Sequence, residues 1–324
     1  MATPRIAYRN PVYPGYFADP FVLRTATAPS PGYVAYGTGK IVDGRAFEVL
    51  VSPDLVHWES VGGALERIDP AAGSDYWAPE VAERDGRFWM YYSVGHDDVG
   101  HRLRVAVSDV PVGPFIDCGV DLAPEERFAI DPSPFRDIDG TDYLFYARDD
   151  LDGERVGTML AVDVLDGPTT LRGDARSVLR PTDDWQIYQR QRSMYGRVYD
   201  WHTLEGPSVV RRGDLYWCFY SGGSWQQPGY AVATAVASHP LGPWVEPARE
   251  RRLLQTVPGR VLGPGHNCVV VGPHGGDVIV YHAWDPNVTA RRMCIDPVEW
   301  TSGGPTVHGP SWQEQGLDRS RLLL

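Results

Sequence analysis

Five short runs of aromatic and β-branched residues recur along the chain at intervals of 54 to 73 residues. They begin at Tyr33, Trp89, Tyr143, Tyr216 and Val278. Most are followed by a second segment of alternating character and then by a turn-rich piece. A repeat of this length that holds about four short strands is typical of a propeller blade. The chain of 324 residues is therefore predicted to be all-β, a five-bladed β-propeller with about four antiparallel strands in each blade.

A β-sandwich, or two stacked β domains, is the competing arrangement for a chain so rich in strand-forming residues. Sandwiches do not need a fixed order of motifs at a spacing near 60 residues, whereas radial blades do. No Pro-, Ser- or charge-rich linker divides the chain, so residues 1–324 are predicted to form a single propeller domain. The longest departure from the repeat is an aromatic and arginine-rich insertion at residues 180–203.

Charge and composition narrow the classes of partner. A net charge of −12 and a pI near 5.2 argue against nucleic acid, which needs a basic face to neutralise its phosphates. No stretch approaches the roughly 18 apolar residues of a membrane span, and the first 20 residues lack a signal-peptide core, so a cytoplasmic protein is expected. The four cysteines form no CxxC pair, which favours buried thiols over a zinc cluster or a disulfide framework.

An ionisable residue precedes each aromatic run by 9 to 14 positions. These residues are Asp19, Glu80, Asp131, Glu205 and His266. The innermost strands of a propeller line the central channel in the same sense, so groups at equivalent positions of these strands collect around one mouth. A single acidic residue before Pro or Gly is usually turn chemistry. Five at equivalent positions predict the floor of an active site instead, where Glu80 is expected to contact the substrate unless it only holds a neighbouring loop through a hydrogen bond.

Carboxylates gathered in a pocket cannot all ionise at their ordinary pKa values, so one can stay protonated while another stays anionic. Hydrolysis of a glycosidic bond needs that division between a general acid and a base or nucleophile. Flat aromatic rings would pack against the C–H faces of the sugar. The candidates are Trp77, Trp201, Trp225 and Trp284, each of which could equally fill the core of a blade.

The same motifs resemble glycoside hydrolase family 43, in the right order and over nearly the whole chain. They are ADPFV at Asp19, WAPE ending at Glu80, IDPSPF at Asp131, EGPSVV at Glu205, GPGHN at His266 and the late YHAWD…ARRMCIDPVEW. The resemblance implies a five-bladed propeller and an inverting mechanism. It implies Asp19 as the general base, Glu205 as the general acid and Asp131 as the residue that adjusts the pKa of the acid. An inverting pair should be about 6.5–9.5 Å apart and a retaining pair about 5–5.5 Å.

The resemblance also implies a cation near the channel axis. His266, with Asn267 beside it, is similar to the family histidine that faces a calcium ion, and a mostly hydrated structural Ca²⁺ is expected there. Chelation that left activity unchanged would exclude a catalytic role for this ion. Arg291 and Arg292 match the late basic pair of the family, and Arg292 is expected to approach the sugar or Asp19, unless both form surface salt bridges.

The motifs do not decide which sugar is released, because family members that resemble this chain act on different sugars. We expect an exo-acting α-L-arabinofuranosidase that acts on pentose-containing oligosaccharides, with β-xylosidase and endo-arabinanase as alternatives. The insertion before Glu205 is suited to closing one end of the channel, although it could be an exposed loop or a contact with a second subunit. A non-hydrolytic sugar-binding propeller is disfavoured because Asp19 and Glu205 are both present. Acidic surface charge is compatible with a monomer or a homo-dimer.

Overall fold

The computed structural model of the protein describes residues 6–26, 32–247 and 252–317. After β1 (Ile6–Tyr8), blade 1 contains β2 (Ala18–Thr25), β3 (Gly32–Thr38), β4 (Ala46–Ser52) and β5 (Glu59–Leu65). Blade 2 contains β6 (Asp75–Arg84), β7 (Arg87–His96), β8 (Val99–Ser108) and β9 (Ile116–Asp121). Blade 3 contains β10 (Ala129–Arg136), β11 (Asp142–Asp150), β12 (Gly157–Gly167), β13 (Thr170–Leu171) and β14 (Arg176–Leu179).

A one-turn 3-10 helix (Asp184–Gln186) and β15 (Ile187–Met194) lead into blade 4, which contains β16 (Arg197–Arg212), β17 (Leu215–Gly222) and β18 (Ala231–Ala237). Blade 5 contains β19 (Leu262–Val271), β20 (Asp277–Trp284), β21 (Arg291–Thr301) and β22 (Gly304–Val307), and β23 (Gln315–Leu317) ends the described chain. Within the blades, strands pair antiparallel in chain order, except that β13 and β14 of blade 3 both pair with β12.

The innermost strands form a closed ring, which confirms the predicted five-bladed propeller. β2 packs on β6, β6 on β10, β10 on β16, β16 on β19, and β19 returns to β2. The predicted aromatic runs form β3, β7, β11, β17 and β20, the second strand of each blade. Because the ring brings one strand of every blade to the channel, side chains distant in sequence become neighbours there.

The two ends of the described chain meet at blade 5. β1 pairs antiparallel with β23, from Ile6 opposite Leu317 to Tyr8 opposite Gln315. The segment after β1 then follows β21, where the backbone N–H of Val12 donates to the Met293 carbonyl. These contacts join the first and last blades, so the ring does not depend on packing alone.

The insertion at residues 180–203 folds as a hairpin. β15 pairs antiparallel with the first part of β16, and the turn lies at Tyr195 and Gly196. The inner half of β16 continues from this hairpin to Glu205, so the insertion and a channel-lining strand are one continuous element. None of the helical residues that the structure describes forms a helix long and apolar enough to span a membrane.

Candidate active site

A β-bulge interrupts the innermost strand of every blade at the same level. At each bulge, two residues of the inner strand face a single residue of the second strand. The first residue of the pair has a positive φ, and these residues are Asp19 (48°), Ala78 (46°), Asp131 (58°), Gly206 (57°) and His266 (44°). The second residue is proline in four blades and Asn267 in the fifth. Bulges re-aim side chains and are common beside active sites.

The bulges correct the expectation that all five ionisable residues occupy equivalent positions. Asp19, Asp131 and His266 occupy the first bulge position, whereas Glu205 immediately precedes its bulge and Glu80 immediately follows its own. The equivalent positions in those two blades hold Gly206 and Ala78. The extra residue of a bulge breaks the strict alternation of the strand, so positions on either side of it can also face the channel.

Asp19 is surrounded by nitrogen atoms of three side chains. Its Oδ1 is 3.1 Å from Nη1 of Arg291, 3.2 Å from Nδ1 of His282 and 3.5 Å from Nδ1 of His266. Burial alone would raise the pKa of this carboxyl, but the positive charge of Arg291 holds the pKa of Asp19 well below its usual range. Asp19 is therefore a carboxylate at neutral pH.

The pKa values of Glu205 and Asp131 are raised, whereas that of Asp19 is lowered. Burial raises the pKa of Glu205 to about 7, with Asp19 adding to the rise, while the hydroxyl of Tyr230, which donates to Oε1 at 2.5 Å, opposes it. Burial and the charges of Glu205 and Asp19 raise the pKa of Asp131 well above its usual range. The Gly206 backbone N–H donates to Oδ2 of Asp131 at 2.9 Å and ties the two residues' strands together.

The three carboxyl groups are thus divided in protonation state within one small space. Asp19 can accept a proton, and Glu205 can hold one up to about neutral pH. This separation of pKa values is how one site performs acid and base chemistry together. The arrangement suits the cleavage of a bond whose leaving oxygen needs a proton while a water is activated elsewhere.

The late arginine pair needs a correction, because Arg291 and not Arg292 approaches Asp19. Arg291 is 7% exposed, and its guanidinium also lies over the ring of Trp225 at 4.2 Å. Arg292 instead pairs with Asp285 at 3.0 Å. The two residues are neighbours on β21 and their side chains alternate, so only one of them can face the channel.

His266 is buried beside Asp19 and Asp131, and burial lowers its pKa, so the imidazole is neutral. Both side-chain atoms of Asn267 lack a hydrogen-bond partner among the described residues. Across the same residues, no group of three or more His, Cys, Asp or Glu side chains is arranged to hold a metal ion. The protein groups around His266 do not by themselves form a ligand set for calcium, and the hydrated ion stays a prediction.

Glu205 opens onto a cavity of about 390 Å³. The other residues around this cavity are Trp77, Asp97, Asp98, Phe128, Ile130, Asp149, Thr158, Tyr188, Arg192, Met194, Trp201, Thr203, Trp225 and Gln226. Asp19 and Asp131 are not among the residues that line it. The volume falls in the range of small-molecule sites.

The β15–β16 hairpin forms one wall of this cavity. Arg192 pairs with Asp98 of blade 2, and the Tyr195 hydroxyl donates to Asp149 of blade 3. The guanidinium of Arg192 also lies 5.0 Å from the ring of Tyr188. The hairpin from blade 4 is therefore fastened to two other blades across the mouth of the channel.

The predicted aromatic residues differ in what they offer to a ligand. His101 stacks on Trp77 at 3.6 Å, and Trp225 contacts both Trp284 at 5.8 Å and the Arg291 guanidinium, but Trp77 and Trp225 both remain partly exposed. Trp201 is 2% exposed and packs between Tyr195 and Tyr199 at the base of the hairpin. Trp77 and Trp225 are therefore better placed than Trp201 to contact a sugar.

Glu80 lies beyond its bulge and outside the cavity that Glu205 lines. Burial raises its pKa to about 8, with a hydrogen bond to Ser133 opposing the rise. Ser133 occupies the matching position after the bulge of blade 3. This placement favours a contact between blades within the channel over the expected contact with substrate.

Sequence reasoning missed Tyr230, His282 and Asp149. Tyr230 contacts Glu205 and stacks on His282 at 5.8 Å, and the Asp19 backbone N–H donates to Nδ1 of His282 at 3.1 Å. These residues lie on second and third strands or beside them, and the positional argument considered only the innermost strands. The motif YHAWD contained His282, but no spacing rule assigned it to the channel.

The sequence of this chain is similar to those of known glycoside hydrolases. The sequence profile of glycosyl hydrolases family 43 matches residues 8–305. A β-D-galactofuranosidase, xynD, from Aspergillus niger is 27% identical over 91% of this chain and 83% of its own length. An extracellular exo-α-(1→5)-L-arabinofuranosidase from Streptomyces avermitilis is 23% identical over 95% of this chain, which spans 64% of that enzyme.

Two solved structures of other proteins have the same fold as this chain. A thermostable family-43 glycoside hydrolase superimposes with a TM-score of 0.82 at 31% identity, covering 97% of this chain and 99% of the other. An endo-1,4-β-xylanase from Bacteroides thetaiotaomicron superimposes with a TM-score of 0.75 at 28% identity, covering 92% and 96%. The profile match, these relatives and the divided carboxylates together place this chain in family 43 of the glycoside hydrolases.

Proposed function

We propose that this glycoside hydrolase is an exo-acting, inverting α-L-arabinofuranosidase that releases arabinose from arabinan- or arabinoxylan-derived oligosaccharides. The observation that carries the proposal is the division between Asp19, held anionic by Arg291, and Glu205, whose pKa burial raises to about 7. These are the states that a base and an acid need before the reaction begins.

In the proposed reaction, the Asp19 carboxylate removes a proton from a water molecule as the water oxygen bonds to the anomeric carbon. The bond from that carbon to the leaving oxygen breaks, and Glu205 gives its proton to the leaving oxygen. Arg291 keeps Asp19 ionised, and the Gly206 N–H positions Asp131 beside the acid. Direct attack by water from the opposite face inverts the anomeric configuration.

The hairpin supports exo action. An endo-acting enzyme needs a groove that is open at both ends so that a polymer can lie across the site. Here the wall of β15 and β16 is fastened to Asp98 and Asp149 and closes one side of the cavity. A substrate end fits such a pocket better than the middle of a chain.

A second candidate is β-D-galactofuranosidase activity. The Aspergillus niger relative with that name covers 91% of this chain. β-D-Galactofuranose has the ring stereochemistry of α-L-arabinofuranose and carries an additional hydroxymethyl group. Both sugars could therefore present the same ring hydroxyls to one set of protein groups, and the extra group alone would decide between them.

The test compares 4-nitrophenyl α-L-arabinofuranoside, β-D-galactofuranoside and β-D-xylopyranoside, with Asp19→Asn as the inactive control. Preference for the arabinofuranoside, with the β-anomer of arabinose appearing first by NMR, would support the proposal. Preference for the galactofuranoside or xyloside would replace the sugar, and a first-formed α-anomer would overturn inversion.

We propose that any cation near His266 is structural. Since Asp19 and Glu205 already have complementary protonation states, the proposed chemistry uses protein groups only. Activity should survive exhaustive dialysis against a chelator at constant pH, with the melting temperature as a parallel readout. A loss of turnover that added Ca²⁺ restores, without a change in melting temperature, would contradict this.

A further inference from the structure

Two adjacent strands of blade 3 carry buried, unpaired oxygen atoms on residues that line the cavity beside Glu205. Asp149 of β11 and Thr158 of β12 are cross-strand partners, and both side chains line the cavity. Within the described ranges, Oδ1 of Asp149 and Oγ1 of Thr158 are both buried without a hydrogen-bond partner. Buried polar atoms are nearly always paired, so two unpaired neighbours in a cavity indicate groups that bind a ligand.

The other oxygen of Asp149 is already in use. Oδ2 accepts the hydroxyl of Tyr195 from the hairpin. Burial raises the pKa of Asp149 to about 6, with Tyr195 and Arg192 opposing the rise. Tyr195 therefore fixes the carboxyl group in one orientation and leaves Oδ1 without a partner among the described residues.

The chemistry of the two oxygens suits a sugar with neighbouring hydroxyl groups. A carboxylate oxygen only accepts, while a threonine hydroxyl accepts and donates. Directly opposed residues of an antiparallel pair have Cβ atoms about 4.5–5.5 Å apart. Two hydroxyls on adjacent ring carbons could each donate to one of these oxygens.

The position of the cavity relative to Glu205 indicates which sugar ring would bind there. Among the three carboxylates of the active site, only Glu205 lines this cavity, and Asp19 lies outside it. In the proposed function, on which this inference rests, Glu205 protonates the leaving oxygen and Asp19 activates water on the opposite face. The cavity thus extends from the side of the acid, where the leaving group must lie.

We propose that Asp149 and Thr158 bind two hydroxyl groups of the sugar that leaves, and so select oligosaccharide over other leaving groups. The site is formed by blade 3 and completed by the hairpin of blade 4, whose Tyr195 orients Asp149. It accounts for both unpaired oxygens and for the position of the cavity beside the acid.

The test uses two substrates with the same sugar to be released. In 1,5-α-L-arabinobiose the leaving group is a sugar, and in 4-nitrophenyl α-L-arabinofuranoside it has no hydroxyl other than the one formed. Thr158→Val removes the hydroxyl with little change of shape, and Asp149→Asn replaces an acceptor with a donor. Each variant should lower kcat/KM on arabinobiose by about 10- to 100-fold. Each should stay within about twofold of wild type on the nitrophenyl glycoside.

Equal losses on both substrates would overturn the inference, because the residues would then serve the released sugar or the fold. Unchanged kinetics on both would overturn it as well. Tyr195→Phe is the control for the hairpin, and it should give a smaller selective loss than Asp149→Asn. If wild type prefers the galactofuranoside or xyloside, the proposed sugar fails while the same comparison, with a disaccharide and nitrophenyl glycoside of that sugar, still tests the subsite.

Discussion

At the scale of single residues, the site works because similar groups have different surroundings. Asp19 and Glu205 are both buried carboxyl groups at bulges of innermost strands. Arg291 and two histidines surround Asp19, whereas Tyr230 is the hydrogen-bond donor to Glu205. Asp19 has the positive charge of Arg291 beside it, whereas Glu205 has less positive charge nearby. This difference separates the pKa values of the two carboxyl groups.

This separation predicts different responses to the leaving group. Asp19→Asn should lower kcat by about 10²–10⁴-fold on both arabinobiose and the nitrophenyl glycoside, because water activation is needed for each. Glu205→Gln should lower kcat by a similar factor on arabinobiose but much less on the nitrophenyl glycoside, whose leaving oxygen needs little protonation. Steady-state kinetics of both variants check this, and equal losses for Glu205→Gln would contradict its role as the acid.

The hydroxyl of Tyr230 predicts a change in the pH profile. As the proposed general acid, Glu205 must be protonated, so kcat/KM should fall as pH rises through about 7. The Tyr230 hydrogen bond stabilises the ionised form and lowers the pKa of Glu205. Tyr230→Phe removes this donor, so the alkaline limb should move to higher pH.

The measurement is the pH dependence of kcat/KM for wild type and Tyr230→Phe. Tyr33→Phe is a suitable control, since its hydroxyl bonds the Val271 carbonyl elsewhere in the fold. A downward shift in Tyr230→Phe, or an equal shift in both variants, would exclude the proposed effect on the acid.

At the scale of strands and hairpins, blades 3 and 4 are joined by a short parallel pairing. Gly157 and Thr158 of β12 lie beside His202 and Thr203 of β16, just before Glu205. Gly157 has a φ of 154°, and a Cβ built there would lie 1.8 Å from the carbonyl oxygen of His202. Only a residue without a side chain permits this approach of the two backbones.

Gly157→Ala should therefore separate the two strands and lower the free energy of unfolding by about 1–3 kcal/mol. The shift of β16 should also lower kcat. Gly167→Ala, at the other end of the same strand, is the matched control because nothing lies within 4 Å of its added Cβ. Urea unfolding of both variants checks the stability change, and equal midpoints would show that the close approach does not matter.

At the scale of the whole molecule, the propeller is closed by its first residues. Nδ2 of Asn10 donates to the carbonyl of Ile295 at 2.8 Å, and its Oδ1 accepts the Ile295 N–H at 2.9 Å. The same Nδ2 lies 3.2 Å from the Ser311 carbonyl. One side chain thus holds the N-terminal segment against both β21 and the segment that leads to β23.

Asn10→Ala should lower the free energy of unfolding by about 1–3 kcal/mol, because the backbone groups of Ile295 lose their partner in a partly buried place. Thermal unfolding followed by circular dichroism measures the effect. Asn287→Ala, at an exposed turn of the same blade, should change the melting temperature little. Equal effects in the two variants would show that the closure does not contribute to stability.

The sequence alone was enough to predict the propeller and the order and spacing of its motifs. Aromatic runs, alternation and turn residues act over a few neighbouring positions, so the second strand of each blade was predictable from Tyr33, Trp89, Tyr143, Tyr216 and Val278. The dipeptides at which the bulges form, such as Asp19-Pro20 and Asp131-Pro132, are also part of the sequence motifs. The sequence therefore predicts Asp19, Asp131, Glu205 and His266 as one group.

The tertiary structure alone decided which groups surround those residues. Arg291 and Asp19 are 272 positions apart in sequence and meet only because the ring of blades closes. The choice of Arg291 over Arg292, the contact of Tyr230 with Glu205 and the fastening of the hairpin to Asp149 depend on the same closure. Local patterns specify strands, but the neighbours of a buried charge, and hence its pKa, follow from how distant strands pack.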